Sequence, residues 1–164
     1  MQMDGNCYYR AISCAMDETE NNHLKWRDLI CREAAAHPEK FRQYVDGTVE
    51  EHLMRVRQPR EWAQTIDMYA TAHLLQKNMY VLSPIPGKEG DGSQYRWLKI
   101  SAPVGGGAPR CEFKSSSHST KHDYITLCHT HGNHFDLVVP VNGCNCDLPP
   151  PSFAAASQTA PEVV

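Results

Sequence analysis

Residues 61–82 read EWAQTIDMYATAHLLQKNMYVL, and the period of their apolar positions changes partway along. Ile66, Tyr69, Ala70, His73 and Leu74 recur at the spacing of one helical face. Residues 79–82 (MYVL) are instead a short apolar run of strand type, with Asn78 between the two as the expected helix C-cap. Helical patterns lie upstream of this junction. Tyr8, Ala11, Ile12 and Ala15 mark a helix over 8–16, and Trp26, Leu29, Ile30 and Ala34 mark another over 24–36, which Pro38 ends just past His37. A short helix through Phe41 and Val45 follows. Thr48 and Glu51 form a capping box that opens a helix through Leu53 and Val56.

Strand patterns lie downstream: 95–100 (YRWLKI), after a Gly-rich loop GKEGDGS, then 124–129 (YITLCH) and 134–139 (HFDLVV), a hairpin turning at Gly132-Asn133. Residues 101–122 read as a polar Gly/Ser-rich excursion. Helices first and strands later predict an α+β fold, with the helices packed around a small antiparallel or mixed sheet. The expected domain spans 1–142. The Pro/Ala/Ser-rich stretch 143–164 reads as a disordered tail.

The chain of 164 residues is 41% apolar and 21% charged, the balance of one soluble globular domain. A net charge of −3 leaves no basic footprint, so nucleic acid is not an expected partner. No apolar run has the length of a membrane span, and residues 1–10 hold no signal-peptide core. Seven cysteines without a regular framework, in a chain too large to need staples, point to a reducing compartment, the cytoplasm with the nucleus as a second location. Cys7 lies so near the start that the chain reads as a trimmed piece of a longer protein.

Cys7 also carries the candidate chemistry. It follows Asp4-Gly5-Asn6 and precedes a helix; Gly5 permits a tight turn and Asn6 is a good helix cap. A sulfur at a helix N-terminus is favoured as thiolate, and the amides there, that of Cys7 included, offer an oxyanion site. Such a nucleophile needs a proton shuttle, usually histidine. Of nine histidines, His134 stands out because Asp136 follows at i+2. On a strand both share one face, so Asp136 can fix the His134 tautomer. Phe135, Leu137 and Val139 alternate onto the opposite, core face.

The plainer readings compete. A lone Cys is more often a small buried hydrophobe than a nucleophile, and Cys14, Cys31 and Cys111 belong in that class. Cys128, His129, His131, His134, Cys144 and Cys146 form a Cys/His-rich stretch that zinc could use. Against it, Cys128 and His129 face opposite sides of a strand, and no C-x₂-C pair supports a finger. No metal ligand and no cofactor is assigned.

Four segments in order resemble the ovarian-tumour (OTU) family of cysteine peptidases: DGNCYYRA at 4–11, REAAAHPEKF at 32–41, residues 61–82 quoted above, and GNHFDLV at 132–138. The match covers roughly residues 3–141. The resemblance implies a papain-like catalytic arrangement with Cys7 as nucleophile, His134 as base and Asp136 as the orienting acid. Asp4 is the second candidate for that third role, and Gly5 and Asn6 shape the oxyanion loop. Glu61 and Trp62 are read as structural. The implied function is a thiol-dependent deubiquitinase that cleaves the isopeptide bond after the terminal Gly of ubiquitin through a thioester. The expected partners are ubiquitin or polyubiquitin chains, and the chain is expected to be a monomer. The alternatives are a catalytically weak ubiquitin-binding module and a zinc-stabilised Cys/His interaction domain. The 101–122 insert is not part of the family pattern, and nothing in the motifs reports linkage preference.

Overall fold

The computed structural model describes residues 1–85, 95–101, 124–130 and 132–139. Residues 87–93, 102–122 and 143–164 lie outside this set, so the expected loop, most of the insert and the tail are not considered further. Five helices come first: α1 (Cys7–Asp17), α2 (His23–Ala36), α3 (Pro38–Phe41), α4 (Val49–Val56) and α5 (Thr65–Leu75). Four strands follow, β1 (Asn78–Pro84), β2 (Tyr95–Ile100), β3 (Tyr124–Thr130) and β4 (His134–Leu137).

Local chemistry explains the helix ends. Glu18 closes α1 in a left-handed conformation (φ 57°), its amide returning to Cys14 O. Pro38 disfavours helical backbone at His37, so α2 stops at Ala36, and the same proline occupies the first turn of α3. Val45 is already extended, so the expected short helix ends in a 3₁₀ turn over Arg42–Tyr44. The capping box of Thr48 with Glu51 opens α4 as the sequence predicts. Asp67 does the same service for α5, its Oδ2 accepting from Gln64 N at 2.8 Å. Asn78 is not the cap expected of it. Gln76 takes the left-handed position (φ 53°), and Asn78 pairs with Tyr124 as the first residue of β1.

The sheet is mixed, in the order β2-β1-β3-β4. β1 pairs antiparallel with β2 (Met79 opposite Ile100) and parallel with β3 (Met79 opposite Ile125). β3 and β4 form the hairpin, Thr130 opposite His134, with Gly132 supplying the positive φ (79°) of its turn. The β3–β4 bonding runs on to Val138, whose amide donates to Thr126 O at 2.9 Å; Val139 extends past it and is 64% exposed, so it is not the core residue the alternation suggested.

α2 packs on α1, α4 and α5, while α1 lies against β4 and α5 against β1 and β2. The shared core holds Trp26, Tyr8, Ile12, Ile30, Ile66, Met79 and Leu127, all fully buried. Such side chains contribute about 1.5–3 kcal/mol each by leaving water. Inside this core Tyr8 Oη donates to Thr71 Oγ1 at 2.8 Å and buried His52 Nε2 lies 3.1 Å from buried Asp67 Oδ2, while Tyr9 Oη and His52 Nδ1 have no hydrogen-bond partner among the described residues.

Candidate active site

Cys7 is the first residue of α1, and its Sγ reaches across to β4 at the other end of the domain. The sulfur accepts from Phe135 N at 3.4 Å and donates to Asn133 O at 3.7 Å. These are the two backbone groups that flank His134. Phe135 anchors the approach: it is 2% exposed and packs edge-to-face on Tyr8, the neighbour of Cys7, with centroids 5.3 Å apart.

His134 Nε2 lies 3.1 Å from Asp136 Oδ2, as the i, i+2 spacing predicts. Its Nδ1 is buried without a hydrogen-bond partner among the described residues. If Nε2 carries the proton that Asp136 accepts, Nδ1 is the basic nitrogen, and it is the one left for a thiol. Asp136 Oδ1 also accepts from the Met1 amino group at 2.9 Å. Partial burial pushes the Asp136 carboxyl up, but that amino group and the imidazole outweigh it and hold it below the ordinary carboxylate value.

Asp4, the second candidate for the orienting role, is engaged within its own loop. It grips Arg10 through both oxygens, at 2.6 and 3.0 Å, and accepts from the Asn6 amide at 3.0 Å. Burial raises its carboxyl and Arg10 with the Asn6 amide more than offsets this, leaving it below its usual value. Asp4 therefore shapes the loop before the nucleophile, and the described contacts tie it to Arg10 and Asn6, not to His134.

Two other expectations are corrected. Asn6 makes no cap bond to α1, because its Oδ1 is taken by Arg27 Nη2 (2.8 Å) and by Arg60 N (3.0 Å). The Cys7 amide donates to Asp4 O at 3.0 Å, so in this conformation it is not free to hold an oxyanion. Gly5 is required by a close approach: a Cβ there would fall 1.6 Å from Arg60 O.

Arg27 is the residue the sequence reading passed over. It is 2% exposed, and its guanidinium donates to Val56 O (2.6 Å), Gly5 O (2.9 Å), Asn6 Oδ1 (2.8 Å) and Glu61 O (3.0 Å). Its Cζ stacks 3.9 Å from the centroid of Tyr9. One buried fork thus fastens the loop before Cys7 to the segment between α4 and α5. A signal existed: Arg27 stands at i−3, i−4 and i−7 from Ile30, Cys31 and Ala34, a lone cation inside the apolar stripe of α2.

On β3, His129 steadies the hairpin. Its ring stacks on Phe135 with centroids 4.6 Å apart, Nε2 sits 3.0 Å from Gly132 O and Nδ1 3.3 Å from Ser83 Oγ. Burial holds its pKa below the ordinary histidine value, so the neutral ring is the structural form.

Burial also pushes the Cys7 thiol up, against the lowering effect of the Phe135 and Tyr8 amides. Desolvation at 1% exposure thus works against the thiolate that the helix N-terminus favours. The rate of Cys7 alkylation by iodoacetamide should therefore keep climbing above about pH 8.5, the ordinary thiol range. A plateau reached below neutrality would contradict this. The arrangement as a whole provides a buried thiol, an imidazole with a free basic nitrogen and a carboxylate that orients it, which is the equipment of nucleophilic acyl transfer.

Known proteins share this fold. The family model described as OTU-like cysteine protease matches residues 2–135. OTU domain-containing protein 4 from Mus musculus is 25% identical over 141 residues, covering 84% of this chain and 10% of that protein. Deubiquitinating enzyme 10 with an ovarian tumor domain, from Arabidopsis thaliana, is 25% identical over 80 residues, 49% of this chain and 22% of that protein. The chain thus spans about a tenth of the first of these relatives and about a fifth of the second. Among solved structures, the OTU domain of OTUD1 superposes with a TM-score of 0.62 at 20% identity, covering 84% of this chain and 81% of that one. An OTU deubiquitinase from Wolbachia pipientis wMel, solved bound to ubiquitin, gives 0.58 at 13% identity over 84% and 91%. The helices, the mixed sheet and the pairing of an N-terminal cysteine with a C-terminal histidine strand are the papain-like OTU fold, and this chain belongs to the OTU-like cysteine protease family.

Proposed function

We propose that this domain is a deubiquitinase that hydrolyses the isopeptide bond after the terminal glycine of ubiquitin. The observation that carries the reading is the contact of Cys7 Sγ with the backbone on both sides of His134. His134 Nδ1 takes the thiol proton as the sulfur attacks the glycine carbonyl carbon. The C–S bond forms, the tetrahedral intermediate collapses with loss of the C–N bond, and His134 passes its proton to the departing lysine amine. Water, deprotonated by the same nitrogen, then cleaves the thioester and restores the thiol. Asp136 keeps the imidazole oriented throughout.

The resting Asp4 O bond to the Cys7 amide adds one requirement: the turn over residues 4–7 must open before that amide can hold the oxyanion. Ubiquitin or its chains would be the partner, as in three similar structures solved with ubiquitin. A thiol nucleophile works only while reduced, so we place the domain in the cytoplasm or nucleus, as a monomer.

The test is a ubiquitin probe bearing an electrophile at its C-terminus. A covalent adduct of one ubiquitin per chain, absent in Cys7→Ala, is expected. An adduct that persists in Cys7→Ala refutes the nucleophile assignment. Absence of both adduct and diubiquitin cleavage, with binding retained, would favour the non-catalytic ubiquitin-binding module.

A further inference from the structure

Away from the active site, the end of α2 meets α5 at three metal-ligating side chains. Both imidazoles turn a nitrogen toward the same oxygen: His73 Nδ1 lies 2.5 Å and His37 Nε2 3.7 Å from Glu33 Oε1. One potential ligand atom from each residue falls within 4.8 Å of the other two. Glu33 is 7% exposed, and the side chains of His73 and His37 are 15% and 16% exposed, so the cluster is half-sheltered but reachable.

A hydrogen-bond network accounts for part of this. Lys40 Nζ lies 3.1 Å from His73 Nε2, so Lys40 donates there and His73 Nδ1–H donates to Glu33. His37 stands one helical turn on from Glu33, and its ring also meets that of His73 with centroids 5.2 Å apart. Its other nitrogen, Nδ1, faces Glu39 Oε1 at 3.8 Å, from which Glu39 would close by about 0.8 Å to back a metal-bound histidine.

We infer that Glu33, His37 and His73 form a binding site for a divalent ion of the zinc class, which clamps the corner between α2 and α3 onto α5. Two imidazoles and one carboxylate suit that ion, with water in the fourth position. Bonds of about 2.0–2.2 Å set tetrahedral ligand atoms about 3.4 Å apart, so Glu33 and His73 need separate by only about 0.9 Å. The ion displaces the His73 Nδ1 proton to solvent, and the Lys40 ammonium, a competing cation, swings away. Of the Cys/His-rich stretch near His134, the described residues Cys128, His129 and His134 are not among the ligands of this cluster.

The test is zinc chloride titrated into the full chain carrying Cys7→Ser, which removes the active-site thiol as a competing ligand, followed by calorimetry and thermal melting. One ion bound through this cluster and a melting temperature raised by several degrees are expected. His37→Ala and His73→Asn should lose this ion and its stabilisation, and Lys40→Met should tighten it by about tenfold, because one positive charge leaves the site. His73→Asn keeps a donor near Glu33, and if it fails to fold, His37→Ala decides. No thermal shift in the parent, or an identical shift in His37→Ala, would overturn the proposal.

Discussion

His134→Ala should lower turnover of a ubiquitin substrate by about 10³-fold or more while leaving the melting temperature close to that of the parent. The loss is large because one side chain serves three steps: it takes the thiol proton, protonates the leaving amine and activates water. It is larger still because the Cys7 thiol is held protonated by burial and has no other base within the described contacts. The fold should survive, since among the described side-chain contacts His134 bonds to Asp136, which is itself 42% exposed. Asp136→Asn should cost less, about 10- to 10³-fold, because an exposed carboxylate orients an imidazole less strongly than a buried one. Asp4→Asn should act mainly on stability, through the weakened grip on Arg10. Steady-state kinetics beside melting curves separate these cases. Should Asp136→Asn turn over normally while Asp4→Asn is folded and dead, the orienting role belongs to Asp4.

The second large effect is structural. Arg27→Leu leaves the carbonyls of Gly5, Val56 and Glu61 and the Asn6 side-chain oxygen without their donor. Each buried acceptor left unsatisfied costs about 1–3 kcal/mol, partly relieved by no longer burying a cation. A net loss of about 3–5 kcal/mol is expected, a large share of the stability of any single domain. Melting should drop by about 10 °C or more. Arg27→Lys should rescue little, because an ammonium cannot span four acceptors in a plane or stack on Tyr9. Melting of Arg27→Leu within about 2 °C of the parent would show that the fork is dispensable.

These residues mark where sequence reading succeeds and where it stops. The helices over residues 7–36 and 49–75 were legible because apolar spacing and capping signals are local, and Thr48 with Glu51 behaves as its sequence says. His134 with Asp136 was legible because strand geometry alone sets their shared face. Asn6 was misjudged for the opposite reason: its capping propensity is local, but its oxygen is claimed by Arg27 and Arg60, 21 and 54 positions away. The dipole at the start of α1 predicted a thiolate, and only the packing of β4 against it shows the burial that works against one. The parallel pairing of β1 with β3 was equally out of reach, since helix and strand order permits both antiparallel and mixed sheets. His73 entered the sequence reading only as one more position on an amphipathic helix. Its approach to Glu33, 40 positions away, exists only once α2 and α5 have packed.

The contacts of Cys7 with Asn133 and Phe135 span 126 and 128 positions, nearly the whole described length. A ribosome makes the sulfur first and its strand last, and non-local pairings of this kind form slowly. Until that closing hairpin docks, the nascent chain carries an ordinary cysteine with no imidazole to take its proton. Under the proposed function, hydrolytic competence is then an all-or-none readout of completed folding, because a domain cut short before His134 holds the sulfur without its base.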